Sequence, residues 1–190
     1  MVGGLDLTAS YDNLDVTEND VVVDIGCGAG DALRYLKRFR ALYGFDIDGA
    51  AIGYARKRAR GRSDVVFAAR AITVADLEAI KPTRVMMSGL LHHLADNEAI
   101  ELLKMCANAP SVKRIATMDP VFLPGEHVSN FCALLDRGKY VRDTDGFRAL
   151  ATSAGLSIRK SSVMPCHPTR GIALLLLMAL EPPGVAGSAG

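Results

Sequence analysis

The 190-residue chain contains no tryptophan, and aromatic residues make up only 6% of it. A nucleic-acid surface of basic residues interleaved with aromatics has little to draw on here. An excess of one charge is also missing, since 22 Lys and Arg face 21 Asp and Glu for a net charge of +1. No general field attracts nucleic acid or anionic lipid, so no nucleic-acid partner is expected. Cysteine is sparse: Cys27, Cys106, Cys132 and Cys166 form no C-x-x-C pair. That spacing excludes a zinc pattern and a disulfide framework, so no metal is expected. Free thiols fit a reducing, cytoplasmic compartment. Long apolar runs are absent too, the longest being residues 172–180, well short of the ~20 residues of a membrane span. The opening MVGGLDLTASYDN lacks the basic and apolar regions of a signal peptide.

What is present reads as one ordinary globular domain, 49% apolar and 23% charged. Apolar runs at 21–25, 42–45, 65–68, 84–87 and 112–118 predict buried strands, the last stopped by Pro120. Between them lie helical patterns at Asp31 to Arg40, after Asp48, at Asp76 to Ile80, and at Asn97 to Asn108. Thr144 to Ala154 predicts a further helix ended by Gly155. Leu156 to Met164 and Gly171 to Leu180 predict two strands joined as a hairpin through residues 165–170. The expected fold class is therefore α/β: a doubly wound, mostly parallel seven-stranded sheet with helices on both faces and a C-terminal β-hairpin. Residues 181–190, rich in Pro and Gly, are expected to form a disordered tail.

Asp24-Ile25-Gly26-Cys27-Gly28-Ala29-Gly30 lies between the first strand and the first helix. Glycines at alternate positions clear side chains from a backbone that a ligand must approach. Such a turn sits where open parallel sheets bind ligands. A dinucleotide fingerprint needs a third glycine at the position of Asp31. A carboxylate there, and Asp24 at the strand end, disfavour a pyrophosphate and favour a ligand with a cationic group.

This motif resembles the first motif of the class I S-adenosylmethionine-dependent methyltransferases, D-I-G-C-G-x-G. Three later segments are similar to that family as well: Tyr43 to Asp48, Ser88 to Leu94 with its L-H-H-L string, and Asp136 to Arg142 through Phe147 to Leu156. The resemblance implies a Rossmann-like methyltransferase fold over residues 1–180, with 1–19 as a partial N-terminal cap and 119–143 on the substrate side. It implies S-adenosyl-L-methionine as cofactor, with S-adenosyl-L-homocysteine as product. Asp24, Gly26, Cys27, Gly28 and Gly30 would shape the methionine pocket. Asp46 would hold the ribose, Ile47 would line the adenine slot, and Ala71, Ser88 and Gly89 would complete the site. Where the family often places an acid to accept from the adenine amino group, this chain has Arg70, which cannot accept that bond.

Two neighbouring histidines, His92 and His93, offer a general base for a hydroxyl acceptor; a sequential pair points in different directions, so at most one faces the cofactor. Asp119, at the end of the fifth strand, either orients substrate or bonds its own turn. Phe122, His127, Tyr140 and Arg142 lie in the segment that would cover the acceptor; Arg142 would equally pair with Asp143 or Asp145. By elimination the acceptor is a small molecule, a lipid headgroup or a sugar hydroxyl. A non-catalytic cofactor-binding scaffold or partner subunit remains an alternative, with an NAD(P)-dependent oxidoreductase behind it. The sequence leaves an oligomer open.

Overall fold

The computed structural model describes residues 8–135, 138–166 and 172–184. Its elements follow in the order α1 (Thr8–Asp12), β1 (Val21–Ile25), α2 (Ala32–Tyr35), β2 (Ala41–Asp46), α3 (Gly49–Arg58), β3 (Val65–Ala69), α4 (Val74–Ile80) and β4 (Arg84–Ser88). After a 3₁₀ turn at Leu91–His93 come α5 (Asp96–Ala107), β5 (Arg114–Phe122), α6 (His127–Leu134), β6 (Arg142–Asp143), α7 (Thr144–Ser153), β7 (Ser157–Pro165) and β8 (Leu174–Glu181). Seven strands lie in the order β3-β2-β1-β4-β5-β8-β7, and the two-residue β6 pairs with β5. β1 to β5 run parallel, while β8 is antiparallel to both β5 and β7. The doubly wound sheet with its C-terminal hairpin is the expected architecture.

Local chemistry accounts for the elements. The β-branched run of β1 is buried at all five positions, as a central parallel strand requires. Asp48 caps α3 by accepting from the amides of Ala50 and Ala51, and Asp143 caps α7 through Gly146. Gly155, at φ 78°, ends α7 in the left-handed region. One core, including Val23, Met87, Leu103 and Phe147, fills the α5–α7 face of the sheet. A second, including Tyr11, Leu42, Ile52 and Met86, fills the face of α1, α2 and α3.

Three expectations need correction. The helix expected from Asp31 to Arg40 spans only Ala32–Tyr35. Leu36 is extended, and the chain runs back to the start of the sheet with Leu36 and Phe39 buried and the Arg40 amide donating to the Asp20 carbonyl at 2.8 Å. Pro120 does not stop β5, which continues to Phe122. It falls between the last rung to β4 at Met118 and the first rung to β6 at Val121, where a missing N–H costs least. Glu181, assigned to the tail, is the last residue of β8, and its carboxylate accepts from Arg114 at 3.0 Å. Cys166 begins the hairpin connection, its amide donating to the Ala173 carbonyl at 2.8 Å. Residues 167–171 of that connection, residues 1–7 of the expected cap and residues 185–190 of the expected tail lie outside the described residues.

Candidate functional site

The parallel strands β1, β2, β4 and β5 all end at one rim, and the residues singled out above gather there. Gly28 has φ 50°, with open space where a Cβ would project. Its amide donates to Asp46 Oδ2 at 2.8 Å. Gly30 is needed for a different reason: a Cβ there would press on the Phe67 ring and on Ala55 of α3, so the helix packs close only against glycine. The amides of Gly26 and Cys27 both donate to the Phe45 carbonyl, pinning the turn to β2. The Cys27 side chain is buried in the core, and burial pushes its thiol up. Only the backbone of Cys27 therefore belongs to the rim. Asp31 turns outward and pairs with Arg58 and Arg34.

Asp24 sits under this turn and is fully buried, with Oδ1 lacking any hydrogen-bond partner. Burial, reinforced by the charges of Asp46 and Asp31, pushes its carboxyl up to about 7. A lone buried carboxylate is costly unless a cation satisfies it. Asp46 spends one oxygen on the Gly28 amide and the other on the Asp48 amide, which fixes its plane at the end of β2. Ile47 beside it is 83% exposed, an apolar side chain with nothing over it. Ala71 is exposed at the end of β3. Arg70 lies over the Phe45 ring, forks onto Asp76 with 2.6 Å contacts and donates to the Ala71 carbonyl. Ser88 and Gly89 end β4, where the Gly89 amide donates to the Met118 carbonyl of β5 at 2.7 Å.

The structure brings His92 and Asp119 together, 27 residues apart in sequence. Asp119 Oδ1 accepts the His92 backbone N–H at 3.1 Å and lies 2.8 Å from its Nδ1. Both side chains are buried, and Asp119 Oδ2 has no partner. Burial raises the Asp119 carboxyl, and the bond to His92 draws it partly back. His93 is exposed, its ring 4.1 Å from that of His92. Only one of the pair therefore faces inward.

Of the four acceptor candidates, Phe122 is half-buried at the end of β5, while His127, at the start of α6, and Tyr140 are exposed. Arg142 needs correction. Its largely buried guanidinium donates to the carbonyls of Leu91, Leu94 and Tyr140 and to Asp96. It pairs with neither Asp143 nor Asp145. Three carbonyls and one carboxylate oxygen take up the forked donor, so Arg142 holds the rim together.

Two contacts at the rim go beyond the sequence reading. Gly138 abuts His92 so closely that a Cβ would overlap the imidazole. Tyr11 is buried, stacked on Tyr35 with centroids 5.2 Å apart, and lies within the field of Asp24. An isolated glycine or tyrosine carries no sequence signal of such a contact.

Residues 22–110 match the model of a family described as a methyltransferase domain. No curated protein matches the chain in sequence. Among solved structures, it is similar to an S-adenosylmethionine-dependent methyltransferase from Methanosarcina mazei (TM-score 0.69, 18% identity, 94% of this chain and 99% of that one). It is also similar to magnesium protoporphyrin IX methyltransferase from Synechocystis PCC 6803 with bound S-adenosylhomocysteine (TM-score 0.66, 20% identity, 93% and 78%). A third is the mitomycin 7-O-methyltransferase (TM-score 0.68, 19% identity, 93% and 52%). The likenesses establish the fold, and the family match covers the glycine turn, β2 and β4 where the cofactor motifs lie. A methyltransferase-domain match over residues 22–110, within the fold shared with these methyltransferase structures, agrees with the expected class I S-adenosylmethionine-dependent methyltransferase.

Proposed function

We propose that the enzyme methylates a small-molecule, lipid or sugar acceptor at the rim between the glycine turn and residues 119–143, all within a single domain spanning residues 1–180. The observation that carries the site assignment is the buried Asp24 carboxylate beneath the glycine turn, whose Oδ1 has no hydrogen-bond partner. It suits the cationic amine of S-adenosylmethionine, while the open space at Gly28 admits the cofactor's backbone approach. Asp46, held by two amides, keeps lone pairs for both ribose hydroxyls. Ile47 offers an apolar wall to adenine, beside Ala71, with Ser88 and Gly89 closing the other side. When bound, the cofactor supplies an activated methyl group that an acceptor can attack in line. The protein's part is alignment and exclusion of water, worth up to ~7–11 kcal/mol of barrier.

Asp119 fixes the imidazole of His92 through Nδ1, the arrangement that orients a base toward an acceptor hydroxyl. Such assistance contributes ~10²–10⁴-fold. Phe122, His127 and Tyr140 border the acceptor. Two neighbours by printed name act on small molecules, a porphyrin and mitomycin, which supports a small acceptor.

Calorimetric titration with S-adenosylhomocysteine, beside NADH, on wild type and Asp46→Ala tests the cofactor site. Binding of the first ligand alone, lost in the variant, is the expected result. NADH binding would overturn the reading. His92→Gln and His93→Gln separate the two histidines: turnover falls in the first and holds in the second, and equal rates across pH remove the base.

A further inference from the structure

α6 is built inside out. Two of its polar residues face the protein: Ser129 is buried and accepts the Leu174 amide at 2.9 Å. Asn130 engages both the amide and the carbonyl of Leu123, at 3.0 and 2.8 Å. Val128, Phe131, Leu134 and Leu135 point outward, each between 59% and 69% exposed. The spacing of 128, 131 and 135 makes one stripe along a helix. No Asp, Glu, Lys or Arg occurs from His127 to Leu135. Ordinary surface helices show the opposite pattern, and here two polar anchors hold the apolar side in water.

The four side chains expose on the order of 400 Å² of apolar surface, the size at which a patch marks an interaction site. A stable homodimer needs roughly 800 Å² per partner, so this face falls short of one. Aliphatic residues with a single phenylalanine, and no arginine or tryptophan, also lack the anchors of a protein interface. The patch does match what a helix lying in a lipid–water interface requires of its buried side. Ile172, 61% exposed, lies two residues from the Leu174 that Ser129 holds, so the apolar surface extends onto the β8 end of the hairpin. Both elements flank the rim that carries Asp119.

We propose that α6 docks on the surface of a lipid bilayer, and that the methyl acceptor is an apolar molecule taken from that surface. The second clause rests on the acceptor lying under residues 119–143; the docking does not. Without a basic cluster on α6, binding is hydrophobic and insensitive to salt.

The test is co-sedimentation with phosphatidylcholine vesicles at low and high salt, using wild type and the Phe131→Ser/Leu135→Ser double variant. S-adenosylhomocysteine titration of each preparation reports whether the cofactor site is intact. The expected result is wild-type binding unchanged by salt, and about tenfold or greater loss in the variant with cofactor affinity preserved. Should the double variant not fold, Leu134→Ser is read in its place. Wild type remaining in the supernatant, equal binding by variant and wild type, or release by salt would each overturn the proposal. So would a concentration-dependent dimer that the variant disperses. A protein that binds vesicles but not S-adenosylhomocysteine would instead sink the cofactor reading and leave the docking standing.

Discussion

At the scale of single residues, Asp24 is the most informative group in the molecule. Its carboxyl ionises near pH 7 in the folded protein, against an ordinary value of 3.8. Between those values the folded chain holds a proton that the unfolded chain has released. Stability therefore falls as pH rises from ~4 to ~7 and levels off above. Asp24→Asn removes this term, so the variant gains melting temperature over wild type at pH 8, on the order of 5 °C, and little at pH 4. Differential scanning calorimetry at the two pH values checks it. The same proton competes with a cationic ligand. S-adenosylhomocysteine affinity of wild type should weaken about tenfold per pH unit below 7, and the slope should vanish in Asp24→Asn; a flat wild-type profile would remove Asp24 from the amine site. Gly138 makes a second residue-scale prediction. In Gly138→Ala the methyl group overlaps the His92 ring, so either the loop or the imidazole moves. Turnover should fall at least tenfold while cofactor affinity, set on β1 and β2, stays within twofold of wild type.

At the scale of elements, the rim depends on how its loops are tied. Arg142 joins the 3₁₀ turn, the start of α5 and β6 through three carbonyls and Asp96. Arg142→Ala strands those carbonyls and should cost about 2–3 kcal/mol, measured as a lowered urea midpoint with unchanged slope. Arg142→Lys should restore little, because one ammonium cannot reach acceptors arranged for a fork. The turn it holds carries His92, so turnover should fall in both variants. Element lengths show where pattern reading fails. α4 and α5 begin within two residues of expectation, and Thr73 with Asp76 and Glu98 tie their first turns to the preceding backbone. α2 starts within one residue of expectation but stops at Tyr35 instead of Arg40, since the chain there turns to bury Leu36 and Phe39, and helical periodicity cannot separate that from a longer helix.

At the scale of the whole molecule, the two cores lock five parallel strands and a hairpin into one sheet, and ligand binding at the rim should stabilise all of it. S-adenosylhomocysteine at 100 times its dissociation constant should add about 2.7 kcal/mol, read as a melting-temperature rise of roughly 5–10 °C, while NADH at the same concentration gives none. Among the described residues no helix is long and apolar enough to cross a membrane.

What could be read from the chain alone was whatever is local or periodic. Strand runs such as Val21–Ile25, the capping of α3 by Asp48 and the glycine turn each complete their logic within a dozen residues, and so the sheet and the cofactor motifs were legible. The rest depended on contacts between distant segments. Asp119 acquires a partner only because β5 lies beside β4, whose end carries His92. Arg142, an ion-pair candidate for its neighbours Asp143 and Asp145, is claimed instead by carbonyls some fifty positions earlier. The apolar residues of α6 face outward while Asn130 and Ser129 satisfy backbone groups of Leu123 and Leu174. A buried backbone amide must find a partner, and which side chain supplies it is settled when the chain has already folded around it.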